Sequence, residues 1–410
     1  MNLSERMKNL RFYVVLFFGV IIAFILLLGL SFLIPNSAIE SNRQQGLAVI
    51  AKEGDYPLYL FDSPGAQMDN YTDRLMLEAT EKPAGENYLY AALNVHGYAW
   101  YWHGWLAFLR LALVFFNYYQ IRYFCMILFL ALLSITFSLL RQKAGIRIAI
   151  YYLLAIGACY AVIVSVLMQY MSVFVIMFVG CIWLLKNFDS ILSRKLLAFF
   201  LILGMGTNYL DLLTAPLLTL GMPLLIALFL EMSQCPNNNF LINLKKIFFP
   251  SMFWGIGYGG CWITKWTVGS LLLRRNIIAD AVNQAIFRVS GDEAYPLNRK
   301  AALTMSFNDM FFYSGILWIF IIILIIWVVL AIVFRVPVYQ WRNTAILLIV
   351  SAYPYVWFMV MANHTQIHHW FVYRIQAITI FGILCCMEMT VNWVKVHKWM
   401  SELRCKCLHI

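Results

Sequence analysis

An uninterrupted apolar run near the N-terminus constrains this chain more than any other feature. Residues 12–35 carry no charged side chain, and a run of that length can cross the roughly 30 Å hydrocarbon core of a bilayer as one helix. Similar runs recur along the chain, so the mean hydropathy is +0.76 and charged residues make up only 12% of the sequence. Because so few charges cannot cover a protein surface in water, the sequence predicts a polytopic membrane protein.

The apolar runs predict an all-α fold with about ten transmembrane spans. Residues 104–116 are expected to form an interfacial helix that leads into the second span. No repeat or low-complexity tract divides the chain, so residues 1–410 are expected to form a single membrane domain. The expected spans are 12–35, 118–140, 148–168, 171–185, 196–207, 217–230, 247–273, 311–334, 345–362 and 371–393.

The distribution of basic residues predicts the orientation in the membrane. The net charge is +11, and most Lys and Arg residues fall in short clusters between the expected spans, which is typical of cytoplasmic segments. Both termini are therefore expected in the cytoplasm, and residues 36–103 and 274–310 are expected to be external loops. We expect a bacterial plasma membrane as the location. Because membrane topology accounts for the basic clusters, no nucleic-acid partner is expected.

The first external loop contains two carboxylates at helical spacing. Asp69 and Asp73 lie within residues 66–80, and a separation of four residues places them on one face of a helix. Apolar residues occupy another side, so this helix is expected to lie in the membrane interface. Either carboxylate is a candidate catalytic base. Asp69 is slightly preferred, because Asp73 has Arg74 beside it.

An interrupted helix is expected between two of the predicted spans. Residues 208–216 contain Asp211 and end at Pro216, and proline disrupts the hydrogen bonding of a helix interior. Irregular backbone at membrane depth survives only where protein or a water-filled cavity satisfies its polar groups. We therefore expect Asp211 to face a cavity.

The candidate substrate-binding residues are all expected on the external side. Cations and imidazoles can hold a phosphate leaving group, and the aromatic residues of 98–105 and Trp370 can stack on sugar rings. Arg374 begins the last span, where its planar guanidinium is expected to bind two phosphate oxygens. The spacing of His364 and His368 also suits metal ligation. The candidates are His103, Asp211, Arg274, Arg275, Arg288, His364, His368 and Arg374.

The predicted arrangement resembles the GT-C superfamily of integral-membrane glycosyltransferases. The resemblance is architectural, covers most of the chain, and implies transfer of a sugar from a polyprenyl-phosphate-linked donor to a glycan or lipid acceptor at the non-cytoplasmic face. In that superfamily a first-loop aspartate commonly acts as the base or helps bind a metal, which would correspond to Asp69 or Asp73. The Asp-Glu and Asp-X-Asp sequences of several GT-C families are absent, so participation of a divalent metal is left open.

Other interpretations of the same residues remain open. Asp69 and Asp73 are also explained as the solvated face of an interfacial helix, and Asp211 with Arg374 as a structural ion pair. A transporter or flippase of a lipid-linked or small solute accounts for the broken helix and a cavity carboxylate. A membrane acyltransferase or a polymerase of lipid-linked glycans would keep the external polar site but change its chemistry.

Overall fold

The computed structural model describes residues 3–59, 62–234, 240–311 and 314–407. Over these residues the chain is helical, and the only β pairing is a few isolated bridges. The α-helices are α1 (Leu3–Ser31), α2 (Asn36–Glu53), α3 (Asn70–Glu78), α4 (Tyr88–Leu93), α5 (Leu106–Phe115), α6 (Tyr118–Ala144), α7 (Ile146–Gly157), α8 (Ala161–Ser165), α9 (Met168–Asn187), α10 (Arg194–Leu210), α11 (Leu218–Gln234), α12 (Phe240–Leu273), α13 (Ile277–Ser290), α14 (Arg299–Met310), α15 (Ser314–Val333), α16 (Val338–Ser351), α17 (Tyr353–Val360), α18 (Ala362–Ile367), α19 (His369–Val372), α20 (Ala377–Thr390) and α21 (Trp393–Cys407). Short 3₁₀ helices cover Pro64–Ala66, Val95–Gly97 and Tyr373–Gln376.

The all-α prediction is confirmed, and the membrane character is supported by long apolar helices. Among the described residues, 5 helical segments are long and apolar enough to cross a bilayer. They are Met7–Ser31, Tyr118–Ala144, Met168–Asn187, Gly315–Val333 and His369–Thr390. Four further apolar helices are shorter: Leu106–Phe115, Ile146–Gly157, Leu218–Gln234 and Thr344–Val360. The count of ten spans therefore stays a prediction, as does the interfacial position of the first-loop helices.

Several expected spans are broken into shorter helices. The expected span 148–168 divides into α7 and α8, because Tyr160 between them adopts a left-handed backbone with φ 52°. The expected span 345–362 divides near Ser351 between α16 and α17. The interruption expected at residues 208–216 is present, since α10 ends at Leu210 and α11 begins at Leu218. Pro223 is accommodated inside α11.

The helices differ in how much of their surface lies inside the protein. In the most apolar part of His369–Thr390, 83% of the residues are buried, compared with 6% in Gly315–Val333. The first segment is therefore central and the second is peripheral. An exposed apolar helix of this kind suits contact with lipid, because lipid tails solvate leucine and isoleucine as favourably as the apolar side chains of a protein interior do.

Glycines allow the closest helix contact in the core. Helices α10 and α12 pack against each other along much of their length. A Cβ at Gly204 of α10 would overlap the carbonyl oxygen of Trp254, and a Cβ at Gly257 of α12 would overlap that of Leu201. Small residues at both positions let the two backbones approach, which is a common arrangement in membrane helix pairs.

Two connecting regions fold against the helices that carry the candidate site. In the first, α2 packs on α3, α5 and α6. In the second, α13 packs on α18, and α14 packs on α17, α18 and α19. The consequence is that residues 362–376, here called the 362–376 segment, receive contacts from α14 and, through the 3₁₀ helix Pro64–Ala66, from the first loop.

Candidate functional site

Asp73 is a fully buried carboxylate whose oxygens are well supplied with donors. It is 0% exposed. Its Oδ2 accepts hydrogen bonds from the Tyr118 hydroxyl at 2.7 Å and from the Met168 backbone N–H at 3.2 Å. Its Oδ1 accepts from the Gln169 backbone N–H at 3.0 Å. Because α9 begins at Met168, the carboxylate supplies acceptors to the otherwise unpaired N–H groups at the positive end of that helix.

An arginine extends the hydrogen bonds around Asp73 to two other parts of the first loop. The Arg122 guanidinium donates to both carboxylate oxygens of Glu53, at 2.8 and 2.9 Å. It also donates to Asn70 Oδ1 and to the Tyr118 hydroxyl, both at 2.9 Å. We call Asp73, Tyr118, Arg122, Glu53 and Asn70 the Asp73 network. It fixes α2 and α3 to α6, so it has a clear structural role.

Asp69 lies just before α3 rather than on its face. The sequence predicted one helix carrying both carboxylates, but α3 begins at Asn70 and Asp69 is its N-cap. The Asp69 oxygens accept from the Thr72 backbone N–H and from the Thr72 hydroxyl, each at 3.0 Å. An aspartate is favoured at this position because it satisfies an unpaired N–H of the first turn. The two carboxylates therefore enter different surroundings.

The surroundings of Asp69 combine burial with a nearby cation. Asp69 is only 2% exposed, and burial raises its pKa above the ordinary value of 3.8. Hydrogen bonds from Thr72 and the Gln169 side chain and the positive charge of Arg374 act in the opposite direction. A carboxylate with a raised pKa is a stronger base than a solvated one.

Two buried polar atoms in the same region have no hydrogen-bond partner among the described residues. They are Gln169 Oε1 and Trp370 Nε1, and the nearby Tyr170 ring lies 4.5 Å from the Arg374 guanidinium. We call Asp69, Gln169, Tyr170, Trp370 and Arg374 the Asp69 cluster. Buried polar groups are nearly always paired in proteins, so these atoms are available to a polar ligand or to water beside the carboxylate.

The Arg374 guanidinium donates to backbone oxygens of the protein. It is 1% exposed, and its nitrogens donate to the carbonyl oxygens of Cys159 (3.1 Å), Trp370 (2.9 Å) and Gly65 (3.4 Å). The fork is thus directed at backbone oxygens, whereas the sequence predicted that it would bind phosphate oxygens. Its charge still acts on Asp69, so Arg374 belongs to the cluster through its electrostatic effect and its packing.

A glycine of the first loop contacts the 362–376 segment, which carries Trp370 and Arg374 of the Asp69 cluster. The Gly65 carbonyl also accepts from the Tyr373 hydroxyl at 2.9 Å. A Cβ at Gly65 would come within 2.7 Å of the Asp309 carbonyl oxygen, so only glycine allows this approach without a shift of the backbone. The short 3₁₀ helix Pro64–Ala66 consequently touches both α14 and the 362–376 segment.

Arg288 brings two of the predicted histidines together. One guanidinium nitrogen, Nη1, lies 2.9 Å from His364 Nδ1 and 3.0 Å from His368 Nε2. A guanidinium can only donate, so both ring nitrogens accept. Burial lowers the pKa of His364 well below 6.5 and that of His368 to about 3. Burial beside the Arg288 guanidinium therefore favours the neutral form of both imidazoles.

The neutral histidines leave an unpaired donor. Because His368 Nε2 accepts from Arg288, its proton is assigned to Nδ1, and that atom is buried without a partner among the described residues. The Nε atom of Arg288 is also buried and unpaired. His364 Nε2 lies 2.9 Å from the Leu213 carbonyl, to which it donates. We call Arg288, His364 and His368 the imidazole cluster.

Asp211 lies in the interrupted backbone between α10 and α11, as predicted. It is 5% exposed, and both of its oxygens accept from the Thr214 N–H, at 3.2 and 3.1 Å. Burial raises its pKa to about 6. Leu213 has a left-handed φ of 66°, and its carbonyl meets His364. The loop therefore supports the imidazole cluster, and Asp211 stabilises the loop.

Two residues that the sequence did not select lie beside the 362–376 segment. Asp309 of α14 lies 2.5 Å from His369 Nδ1, and both side chains are largely buried. His369 directly follows His368, which the sequence did select, but His369 is five residues from His364 and so does not form an i, i+4 pair with it. Asp309 has no sequence signal, because its partner is 60 residues away. Arg122 did have one, since an arginine inside an apolar span is costly.

The remaining candidates have their described contacts elsewhere. The His103 ring packs edge-on against Tyr101 and Trp105. Arg274 is exposed and has a left-handed φ of 51°. Arg275 donates to the Gly97 carbonyl at 3.2 Å and lies 3.7 Å from Asp280. None of these contacts joins the three residues to the Asp69 cluster.

Within the described residues, no group of three or more His, Cys, Asp or Glu side chains is arranged to hold a metal ion. The participation of a metal stays an open question for the chemistry of this site. Comparison of the chain with protein-family models, curated proteins and solved structures gives no match in any of the three. The function is therefore inferred from the two buried carboxylates and the groups around them.

Proposed function

We propose that the protein is a membrane glycosyltransferase that uses a polyprenyl-phosphate-linked sugar donor at the non-cytoplasmic face, with Asp69 as the general base. The observation that carries the proposal is the Asp69 cluster. It combines a buried carboxylate with a raised pKa, a nearby arginine, and adjacent buried polar atoms that have no partner among the described residues. The second carboxylate, Asp73, is also buried beside an arginine with a raised pKa, but its oxygens accept three hydrogen bonds from α6 and α9.

The reaction requires a base and a leaving group. Asp69 takes the proton from an acceptor hydroxyl, whose oxygen then forms a bond to the anomeric carbon of the donor. The bond from that carbon to the phosphate oxygen breaks, and the polyprenyl phosphate leaves with the electron pair. The Asp69 oxygens accept two hydrogen bonds from Thr72 and one from the Gln169 side chain, so one of the four lone pairs of the carboxylate remains for the acceptor.

Neighbouring groups suit a phosphate and a sugar. The imidazole cluster offers unpaired donors at Arg288 Nε and His368 Nδ1, which can hydrogen-bond to a phosphate oxygen. The Tyr56 ring lies 6.0 Å from the Tyr71 ring and 6.1 Å from the Trp370 ring. The charge of Asp69 contributes to the raised pKa of Tyr56, so these aromatic faces lie near the base and can pack against a sugar.

The test compares the two carboxylates. Asp69→Asn and Asp73→Asn are purified, checked for normal membrane levels, and assayed for transfer from a panel of polyprenyl-phosphate-linked sugars in vesicles. Removal of a general base lowers the rate by about 10²- to 10⁴-fold, so we expect that loss for Asp69→Asn. Glu78→Gln is the matched control, because Glu78 is a partly exposed carboxylate at the last position of α3.

Near-normal turnover of Asp69→Asn at normal protein levels would exclude Asp69 as the base. The alternative function, a transporter of a lipid-linked or small solute, is favoured by the broken backbone at residues 211–217 and the buried Asp211, since transporter sites use such interruptions. A wild-type protein that transfers no sugar but moves a solute across vesicles would establish that alternative.

A further inference from the structure

A groove on the apolar surface lies outside the candidate site. It has a volume of about 770 Å³ and is formed by α1, α9 and α10. Its walls are almost entirely apolar, and Val179 and Ile202 on opposite sides are 50% and 42% exposed. The groove therefore opens outward, in the direction from which a lipid chain would enter.

Two cations stand together at one end of this groove. Arg194 and Lys195 are the first residues of α10, and both line the groove. A helix N-terminus already carries partial positive charge, so two adjacent cations there are unfavourable for the helix itself. Helix stability therefore does not explain their position, and the groove beside them offers space for an anionic ligand.

Neither cation is neutralised by an ion pair. Within the described ranges, no carboxylate oxygen lies within 4.0 Å of Arg194 or Lys195. Arg194 donates to Asn9 Oδ1 at 3.3 Å, and Lys195 donates to Asn187 Oδ1 at 3.1 Å. Asp189 acts on Lys195 only through space, and its Oδ1 already accepts hydrogen bonds from Ser190 and Ser193.

Aromatic rings hold the cations at the boundary between the polar end and the apolar walls. The Arg194 guanidinium lies 4.0 Å from the Phe12 ring centre, and the Lys195 ammonium lies 5.5 Å from that of Trp183. Trp183 is stacked on Phe199 at 4.5 Å. Cation–aromatic contacts of this kind orient the charges while leaving hydrogen-bond donors available.

We propose that this groove binds an anionic phospholipid, with the headgroup phosphate at Arg194 and Lys195 and an acyl chain along α9 and α10. Charge complementarity favours this occupant, because a purely apolar chain or a neutral transmembrane helix would bring no negative charge to the two cations at the end of the groove. Gly206 provides the space for the chain, since a Cβ added there meets no heavy atom within 4 Å. The site is independent of the sugar-transfer proposal.

The test measures lipid retention by the full-length protein. The protein is reconstituted in vesicles of equal amounts of phosphatidylglycerol and phosphatidylcholine with matched chains, extracted in mild detergent and analysed by native mass spectrometry. Wild type should retain phosphatidylglycerol preferentially. Arg194→Gln with Lys195→Gln should reduce that preference by about 10- to 30-fold, from the attraction expected for two basic residues. Lys395→Gln with Lys398→Gln, on exposed positions of α21, is the matched control.

A second pair of variants tests the groove without changing charge. Gly206→Leu should fill it and lower retention of both lipids, whereas Gly19→Leu, also with nothing within 4 Å of an added Cβ, should have no effect. Equal retention of the two lipids by wild type, or an unchanged preference in the double glutamine variant, would overturn the proposal. Wild-type retention by Gly206→Leu would overturn the placement of the chain.

Discussion

The Asp73 network and the Asp69 cluster start from two aspartates four residues apart, yet their hydrogen bonding differs. Asp73 accepts three hydrogen bonds from outside its own helix, two of them from the N-terminus of α9. Asp69 accepts hydrogen bonds from Thr72 and the Gln169 side chain, and buried atoms of Gln169 and Trp370 in its cluster have no partner in the part of the chain that the structure describes.

The difference separates two uses of a buried carboxylate. In the Asp73 network, donors from α6 and α9 converge on Asp73, and Arg122 Nε is an unpaired atom at its edge. Such a carboxylate stabilises the fold by satisfying groups that would otherwise be buried unpaired. In the Asp69 cluster the unpaired groups surround the carboxylate itself, which suits a ligand. The following predictions test whether this separation holds.

The largest effect on stability is expected from Asp73→Ala. It leaves the Tyr118 hydroxyl and the backbone N–H groups of Met168 and Gln169 without their acceptor, and removing one partner from a buried charged network costs about 3–5 kcal/mol. Asp69→Ala removes only a helix cap, worth about 0.5–2 kcal/mol. Thermal unfolding of both proteins in the same detergent measures this order, and the reverse order would refute the assignment of the two regions.

A smaller loss of stability is expected from Arg374→Lys. The ammonium keeps the charge but cannot reproduce a planar fork that reaches the carbonyl oxygens of Cys159, Trp370 and Gly65 together. If one of these acceptors is left unpaired, the cost is about 1–3 kcal/mol. Because the fork points at the backbone, the folded fraction should keep its affinity for a lipid-linked donor. A large loss of donor affinity with unchanged unfolding temperature would instead place the fork on phosphate.

The pH dependence of stability sharpens the comparison further. Burial raises the pKa of Asp73 from 3.8 to about 6, so the native carboxyl holds its proton more tightly than the unfolded one. Its contribution to stability is full below about pH 3.8 and is lost as the pH rises through about 6. The difference between wild type and Asp73→Asn should therefore change by at most about 1.4 kcal/mol per pH unit in that window. Denaturant unfolding at several pH values measures it, and a constant difference would contradict the prediction.

The smallest effect is expected at the exposed pair beside both regions. The side chains of Arg74 and Asp55 are 35% and 41% exposed and 3.5 Å apart, so solvent and salt screen the pair. Arg74→Gln should change the free energy of unfolding by less than about 1 kcal/mol. It should also leave sugar transfer unchanged. A larger loss, measured by the same unfolding assay, would mean that Arg74 supports Asp73 after all.

The local sequence pattern was sufficient to predict several features of this protein. Long apolar runs require helices in a membrane because every backbone group must be paired within its own segment, and the all-helical fold follows. The interruption before Pro216 follows from the same rule. The sequence also predicted that Asp211 faces a cavity, and in the structure its carboxylate is buried and accepts from Thr214. Charges are scarce in this sequence, so the few carboxylates of the first loop could be selected as candidates without a structure.

Only the tertiary structure decided which of those carboxylates is surrounded by hydrogen-bond donors from other helices. The donors to Asp73 come from residues 95 and 96 positions away, and the cation near Asp69 comes from the last long apolar segment. The Asp309–His369 contact likewise joins two distant helices. Spacing along a chain reports which residues share a helix face, but hydrogen-bond saturation and desolvation depend on which faces meet, and that is settled only when the helices pack.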